Sequence, residues 1–156
     1  NPMIIKNETI HAIQDHCLLF FTGISRFASI IAKDQIENIP KKTNELFEMM
    51  SMVSTAKNIL ESKKVDIDDF GLLLHENWKI KRFLSNSITN DKIDEIYNLG
   101  RKAGALGGKL LGAGSGGFIL FFAKPTNHIR IKKTLKSLLH VPFKFEKDGT
   151  NVIFKG

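Results

Sequence analysis

The sequence comprises 156 residues, 42% hydrophobic and 25% charged, which fits one soluble globular domain. Its single cysteine, Cys17, excludes an intrachain disulfide and a zinc site built from several cysteines, and its apolar neighbours predict a buried thiol in a reducing, cytoplasmic protein. No apolar run is long enough to span a membrane, and the formal net charge of +7 favours an anionic ligand.

The predicted elements alternate between short apolar runs and longer stretches of helical periodicity. Strands are predicted where apolar runs meet turn residues: residues 17–22, 110–111, 118–123, 143–145 and 152–154. Helices are predicted where apolar side chains recur every three or four positions: residues 25–36, 40–63, 66–83, 89–100 and 126–139. Residues 10–15 are ambiguous.

This order predicts an α+β fold of the ferredoxin-like type. Without the central helical stretch, the elements read βαββαβ, a split βαβ plait. We therefore expect a mostly antiparallel sheet with helices on one face and an inserted helical stretch.

The segment GGKLLGAGSGGFILFFA, residues 107–123, is the most unusual part of the chain, since six of its first eleven residues are glycine. Its G-x-G-x-x-G spacing resembles a dinucleotide motif, but that motif precedes a helix, whereas residues 118–122 predict a strand. The phosphate-loop motif G-x-x-x-x-G-K-[ST] fails as well, because Leu110 follows Gly108-Lys109 where the motif needs Ser or Thr. A glycine-lined hairpin remains, and we expect its amides between Ala113 and Phe118 to lie exposed, where they can donate to an anion or to another backbone. A tight hairpin with a bulge and no ligand is the alternative.

The same segment resembles the third, C-terminal glycine-rich motif of the galacto-, homoserine, mevalonate and phosphomevalonate kinase (GHMP) superfamily. That motif has the form K-L-x-G-A-G-G-G-G before an apolar strand, and Ser115 replaces one glycine here. Within the superfamily, FFTGISRFAS, ENWKIKRFLSNSITNDKIDEIY and GGKLLGAGSGGF look like the heptose 7-phosphate kinases. The resemblance implies ATP-dependent phosphorylation of the anomeric hydroxyl of D-glycero-D-manno-heptose 7-phosphate, on the way to nucleotide-heptose and surface polysaccharide.

The family's ATP loop, of the form P-x-x-x-G-L-G-S-S, does not occur in these residues. The resemblance therefore implies that residues 1–156 form one C-terminal kinase domain, a fragment without the N-terminal domain that mainly holds ATP and Mg²⁺. We expect the isolated chain to fold but not to catalyse, and we assign it no catalytic residue and no metal ligand. Its expected partners are a sugar phosphate, ATP and that N-terminal kinase domain.

Three groups of residues are candidates for binding. The resemblance places the glycine loop and its neighbouring lysine beside the nucleotide phosphates: Lys109, Gly112, Ala113, Gly114, Ser115, Gly116 and Gly117. Lys109 is equally compatible with a solvated strand position. Hydroxyls and a guanidinium after the first strand suit the sugar's phosphate, with Arg26 paired to a helix carboxylate as the alternative: Thr22, Gly23, Ser25 and Arg26.

An aromatic residue among basic ones forms the third group, which includes Lys81. Its candidates for stacking and charge in an acceptor pocket are Trp78, Lys79 and Arg82. The alternative is a packed tryptophan with solvated cations.

Other functions are compatible with the pattern. A GHMP kinase with another acceptor, such as a different sugar or mevalonate, would carry the same loop. A non-catalytic ferredoxin-like ligand-binding module would share the order of elements but has no need of so bare a loop. Nucleic acid is disfavoured, because the lysines are scattered and the aromatic strand residues lie in continuous apolar runs.

Overall fold

A computed structural model describes residues 3–25, 28–62 and 66–146, together with Val152 and Phe154. Its α-helices are α1 (Asn7–His16), α2 (Ala28–Asn38), α3 (Thr43–Glu61), α4 (Ile67–Lys81), α5 (Asp91–Lys102) and α6 (His128–Thr134). Its strands are β1 (Cys17–Phe21), β2 (Ala105–Leu110), β3 (Phe118–Ala123) and β4 (Leu139–His140). Short 3-10 turns, Ile39–Lys41 and Pro125–Asn127, precede α3 and α6.

The four strands form one antiparallel sheet in the order β2-β3-β1-β4. Strand β1 therefore lies between β3 of the glycine hairpin and the short β4, as a split βαβ arrangement requires. The predicted α+β fold class is confirmed. The register sets Leu120 opposite both Leu19 of β1 and Lys109 of β2.

Local capping signals fix where two helices begin. The Asp66 carboxylate accepts a hydrogen bond from the Asp68 amide at 3.0 Å and caps α4. The Asn90 side chain accepts one from the Ile93 amide, also at 3.0 Å, and caps α5. Each satisfies an amide that the first helical turn leaves without a partner, and each lies within one residue of the predicted start of its helix, at 66 and at 89.

The C-terminal elements differ from the prediction. Helix α6 ends at Thr134, and the chain then turns and pairs as β4, where the Val141 amide donates to the Leu19 carbonyl at 2.8 Å. The prediction of a helix to residue 139 was wrong. It rested on the spacing of Leu135 and Leu138, which suits a helix, but the open edge of β1 needs a strand partner and residues 139–140 supply it. Residues 143–145 are not a strand, and the predicted turn at 147–149 lies outside the described residues.

Other elements also depart from the prediction in detail. The ambiguous residues 10–15 belong to α1, and β2 begins at Ala105, five residues before the predicted strand. Cys17 is half-buried rather than buried, and burial raises the pKa of its thiol to about 11. A thiol of that pKa is protonated at neutral pH and unreactive.

The helices pack on the sheet through an aromatic core. The ring of Tyr97 on α5 stacks on that of Phe121 with centroids 5.9 Å apart, and Trp78 on α4 lies at the same distance from Tyr97. Helix α4 lies so close to the edge strand β2 that a Cβ at Gly107 would overlap the Gly71 carbonyl. This close approach directs the end of α4 toward the hairpin between β2 and β3.

No helix among the described residues is both long and apolar enough to cross a membrane.

Candidate functional site

The glycine hairpin that joins β2 and β3 has a backbone that only glycine adopts readily. The Leu111 amide donates to the Phe118 carbonyl at 2.8 Å and closes the ladder, so residues 112–117 form the loop. Four loop residues have positive φ: Gly112 (+84°), Gly114 (+136°), Ser115 (+57°) and Gly117 (+89°). Ser115 is the single non-glycine residue of this kind in the described part of the chain. The dense run of glycines is therefore a requirement of the turn itself.

One side of the loop is packed against its own chain. The Ser115 amide donates to the Ile88 carbonyl at 2.8 Å, and the Gly117 amide donates to the Ile24 carbonyl at 2.9 Å. A Cβ on Gly114 would lie 2.8 Å from the Ile88 backbone, and one on Gly116 would overlap the Ile24 carbonyl. The expectation of exposed amides from Ala113 to Phe118 is therefore wrong for this packed side, because two of those amides already have partners.

The other side of the loop is open. A Cβ added to Gly112 would meet nothing within 4 Å. The amides of Gly112 and Ala113 have no acceptor among the residues that the structure describes. Only the carbonyls are in use there: Gln35 donates to that of Ala113 at 2.5 Å, and Lys81 approaches that of Gly112 at 3.5 Å. The predicted contact with another backbone or an anion is thus possible on this open side alone.

Thr22 supports the loop and does not face a substrate. Its side chain is buried, and its hydroxyl donates to the Gly117 carbonyl at 2.9 Å and accepts from the Ile24 amide at 3.3 Å. The assignment of Thr22 to substrate binding is corrected accordingly, because the hydroxyl both donates and accepts a hydrogen bond within the chain. Gly23, with φ +72°, and Ser25 are exposed beside it, and Arg26 lies outside the described residues.

The aromatic and basic patch is divided between the core and the surface. Trp78 is 1% exposed inside the core, so the prediction that it stacks on a sugar is wrong. Its position one turn after Leu74 on the apolar face of α4 was a signal for burial. Lys79 is half-exposed and pairs with Glu76.

Arg82 closes the turn between α4 and α5. Its guanidinium pairs with the Asp94 carboxylate, which also accepts from the Thr89 hydroxyl at 2.7 Å. This charge is therefore compensated within the chain, unlike the free guanidinium that we expected in an acceptor pocket.

Lys81 is the member of the patch that reaches the loop. Burial, and then the nearby charge of Lys109, lower the pKa of its ammonium group. Lys109 is half-buried on β2, three residues before Gly112. Within the described part of the chain, neither lysine has a carboxylate within 4.0 Å.

A hydrogen-bond chain that the sequence did not reveal ties α2 to the loop. The Ser87 hydroxyl donates to the Asp34 carboxylate at 2.5 Å, and the Ser87 carbonyl accepts from the Ser115 hydroxyl. Hydrogen bonds from Ser85 and Ser87 lower the pKa of Asp34. The loop is thus held by α2 and by the turn before α5, two segments far from it in sequence.

An apolar cavity of about 290 Å³ lies between α2, the start of α3 and the loop. Its walls include Ile36, Leu46, Leu84 and Ala113, with the Gln35 amide at one side. It adjoins the open side of the loop.

Fold and loop together define a ferredoxin-like α+β domain that presents a braced glycine hairpin beside two lysines without a carboxylate partner among the described residues. The family described as GHMP kinases C terminal matches residues 36–140. The chain belongs to this kinase family, and the resemblance seen in the sequence is confirmed.

Individual relatives agree with the family. The chain is 32% identical over 155 residues to D-glycero-alpha-D-manno-heptose 7-phosphate kinase of Campylobacter jejuni, covering 96% of this chain but 44% of that protein. It is 26% identical over 125 residues to a bifunctional fucokinase/GDP-fucose pyrophosphorylase of Arabidopsis thaliana, covering 79% of this chain and 12% of that protein. The chain therefore spans less than half of these relatives.

The solved structure of L. major mevalonate kinase with R-mevalonate shares the fold. Its TM-score is 0.68 at 22% identity, with 80% of this chain and 40% of that chain covered.

Proposed function

We propose that this chain is the C-terminal part of an ATP-dependent kinase that phosphorylates the anomeric hydroxyl of D-glycero-D-manno-heptose 7-phosphate. Support comes from the 32% identity to a heptose 7-phosphate kinase, which extends over 96% of the chain. The single structural observation that carries the proposal is the loop with one braced side and one open side. Such a loop can hold its shape while a phosphate or a second segment approaches it.

The contribution of this chain to the reaction is positional. In the transfer, the bond between the γ-phosphorus and its bridging oxygen breaks, the anomeric oxygen bonds to that phosphorus, and the hydroxyl proton passes to a base. Positioning and charge compensation dominate the catalysis of such transfers. The braced glycines fix the loop, and Lys81 and Lys109 supply positive charge next to it.

ATP and Mg²⁺ would be held mainly by the part of the relatives that this chain does not match. The amides of Gly112 and Ala113, which have no acceptor among the described residues, are available to donate to a phosphate oxygen. Described residues contain no group of three or more His, Cys, Asp or Glu side chains that could hold a metal ion. Bound Mg²⁺ would compensate charge on the transferred phosphoryl group. We therefore propose that the isolated chain does not catalyse and that a kinase N-terminal domain is its partner.

The test uses the full reading frame that contains this chain and, in parallel, the chain alone. ATP turnover is measured with heptose 7-phosphate, unphosphorylated heptose, fucose and mevalonate as acceptors, and the product is analysed for a phosphate on the anomeric carbon. We expect turnover with heptose 7-phosphate by the full protein only. Preference for fucose or mevalonate would assign that compound as the acceptor in place of heptose 7-phosphate. The absence of turnover with every acceptor would favour a non-catalytic ligand-binding module. Turnover by the chain alone would contradict the division of labour between the two parts.

A further inference from the structure

We propose that Lys81 and Lys109 form a binding position for a phosphate monoester at the open side of the glycine loop. The existence of this position is independent of the acceptor, whereas its ligand in the cell rests on the function proposed above.

The geometry places one ammonium group against the loop. The close approach of Gly71 and Gly107 sets α4 along β2, and α4 ends at Lys81, whose Nζ lies 3.5 Å from the Gly112 carbonyl oxygen. A lysine ammonium carries three donors, so at least two remain for a further acceptor. Lys109 stands on the adjoining strand β2, three residues before Gly112. Burial lowers the pKa of the Lys81 ammonium group, and the charge of Lys109 lowers it further.

The charges around this position are unbalanced. Two other cations at the same end of α4 have carboxylate partners: Lys79 with Glu76, and Arg82 with Asp94. Among the described residues, Lys81 and Lys109 have none within ion-pair distance, and Lys81 is half-buried. The two like charges lie close enough to influence one another, and partial burial of Lys81 increases their repulsion. A phosphate dianion between them would remove the repulsion and add charge-assisted hydrogen bonds.

Two sources share this ligand chemistry. One is the phosphate ester of the acceptor, and the other is a phosphate of the nucleotide. The alternative without a ligand is that Lys81 only compensates the negative end of the α4 dipole and the Gly112 carbonyl.

The first test measures protection from an amine-reactive reagent, with inorganic phosphate as the probe. The chain is labelled at mildly alkaline pH with phosphate or with sodium chloride at equal ionic strength, and the labelling rate of each lysine is read by peptide mass spectrometry. We expect phosphate to slow labelling of Lys81 and Lys109, while the exposed Lys133 on α6 reacts at the same rate in both salts. Equal rates at all three lysines would overturn the proposal.

The second test uses variants. Lys81→Gln and Lys109→Gln should each weaken phosphate binding roughly tenfold, the loss expected for one charge-assisted contact. Lys81→Arg should retain most of the affinity, and Lys92→Gln, an exposed change on α5, should have no effect. Thermal unfolding of each variant checks that the fold is kept. Unchanged phosphate affinity in the folded Lys81→Gln variant would refute the site even if the kinase activity were confirmed.

The source of the phosphate is read from KM values of the full-length protein. If the acceptor ester binds here, Lys81→Gln raises KM for heptose 7-phosphate, leaves KM for ATP near the wild-type value and does not affect unphosphorylated heptose. If the nucleotide binds here, KM for ATP rises instead. Because the protection test needs no substrate, a failure of the heptose assignment is distinguishable from a failure of this site.

Discussion

The packed and open sides of the glycine loop use the same residue type for different physical reasons. At Gly114 the backbone conformation and the lack of space both require glycine, because φ is +136° and Ile88 lies directly against the missing side chain. At Gly112 φ is +84°, but the space around the Cα is empty. The loop therefore combines an anchor that fixes it with a free surface that can receive a ligand. A glycine count alone does not separate these roles.

The largest expected effect comes from filling the packed side. Gly114→Ala introduces both a strained φ and an overlap with Ile88, and we expect a loss of about 3 kcal/mol in the free energy of unfolding. Gly112→Ala introduces the strained φ alone and should cost about 1 kcal/mol. Denaturant unfolding of both variants measures the difference. Equal losses would show that the two sides are not distinct.

Gly116→Ala separates overlap from backbone strain. No positive φ occurs at Gly116, but a Cβ there would overlap the Ile24 carbonyl. We expect the loss in the free energy of unfolding of Gly116→Ala to lie between those of Gly112→Ala and Gly114→Ala in the same denaturant experiment.

The next effect concerns the hydroxyl that supports the loop. Thr22→Val keeps the volume of the side chain but removes its bond to the Gly117 carbonyl and leaves the Ile24 amide without an acceptor. A buried amide left unsatisfied costs about 1–3 kcal/mol. Because the Ile24 amide is only partly buried, we expect a loss of about 1.5 kcal/mol, measured by chemical denaturation. Ser25→Ala, an exposed hydroxyl three residues later, is the matched control and should change stability very little. An equal loss in both would mean that Thr22 does not brace the loop.

A smaller effect should appear as a pH dependence of the stability that the hydrogen-bond chain from Asp34 through Ser87 to Ser115 supplies. Hydrogen bonds from Ser85 and Ser87 lower the pKa of Asp34 in the folded protein. The stabilisation by this carboxylate is therefore complete above its unfolded pKa of about 3.9 and is lost as the pH falls through its lower folded value. Asp34→Asn should flatten the acid limb of the stability profile relative to wild type.

The measurement is the denaturation midpoint of both proteins from neutral to acid pH. Parallel profiles would contradict a role for the Asp34 charge. Asp91→Asn, a change of an exposed carboxylate, is a control that leaves the hydrogen-bond chain from Asp34 intact.

Sequence reasoning succeeded where the physical signal is local. The caps Asp66 and Asn90 act within three residues of themselves, and the apolar run after the glycines predicts β3 without any distant contact. Partners of the loop could not be predicted in this way. The bond between Gln35 and Ala113 joins residues 78 positions apart, and no periodicity indicates which carbonyl a distant amide will find. The strand β4 has two residues, too few to show alternation.

The smallest expected effect lies outside the loop and tests how far the site extends along α4. Lys79 is two residues before Lys81, but it pairs with Glu76 at the surface, where both side chains are about half exposed. Water and salt screen such a pair, so Lys79→Gln should cost less than about 0.5 kcal/mol in stability. Since this helical position has its own carboxylate and does not reach Gly112, the substitution should also leave phosphate affinity within about twofold of wild type. A loss of phosphate binding comparable with that of Lys81→Gln, measured by the same titration, would extend the basic position along the helix and away from the loop.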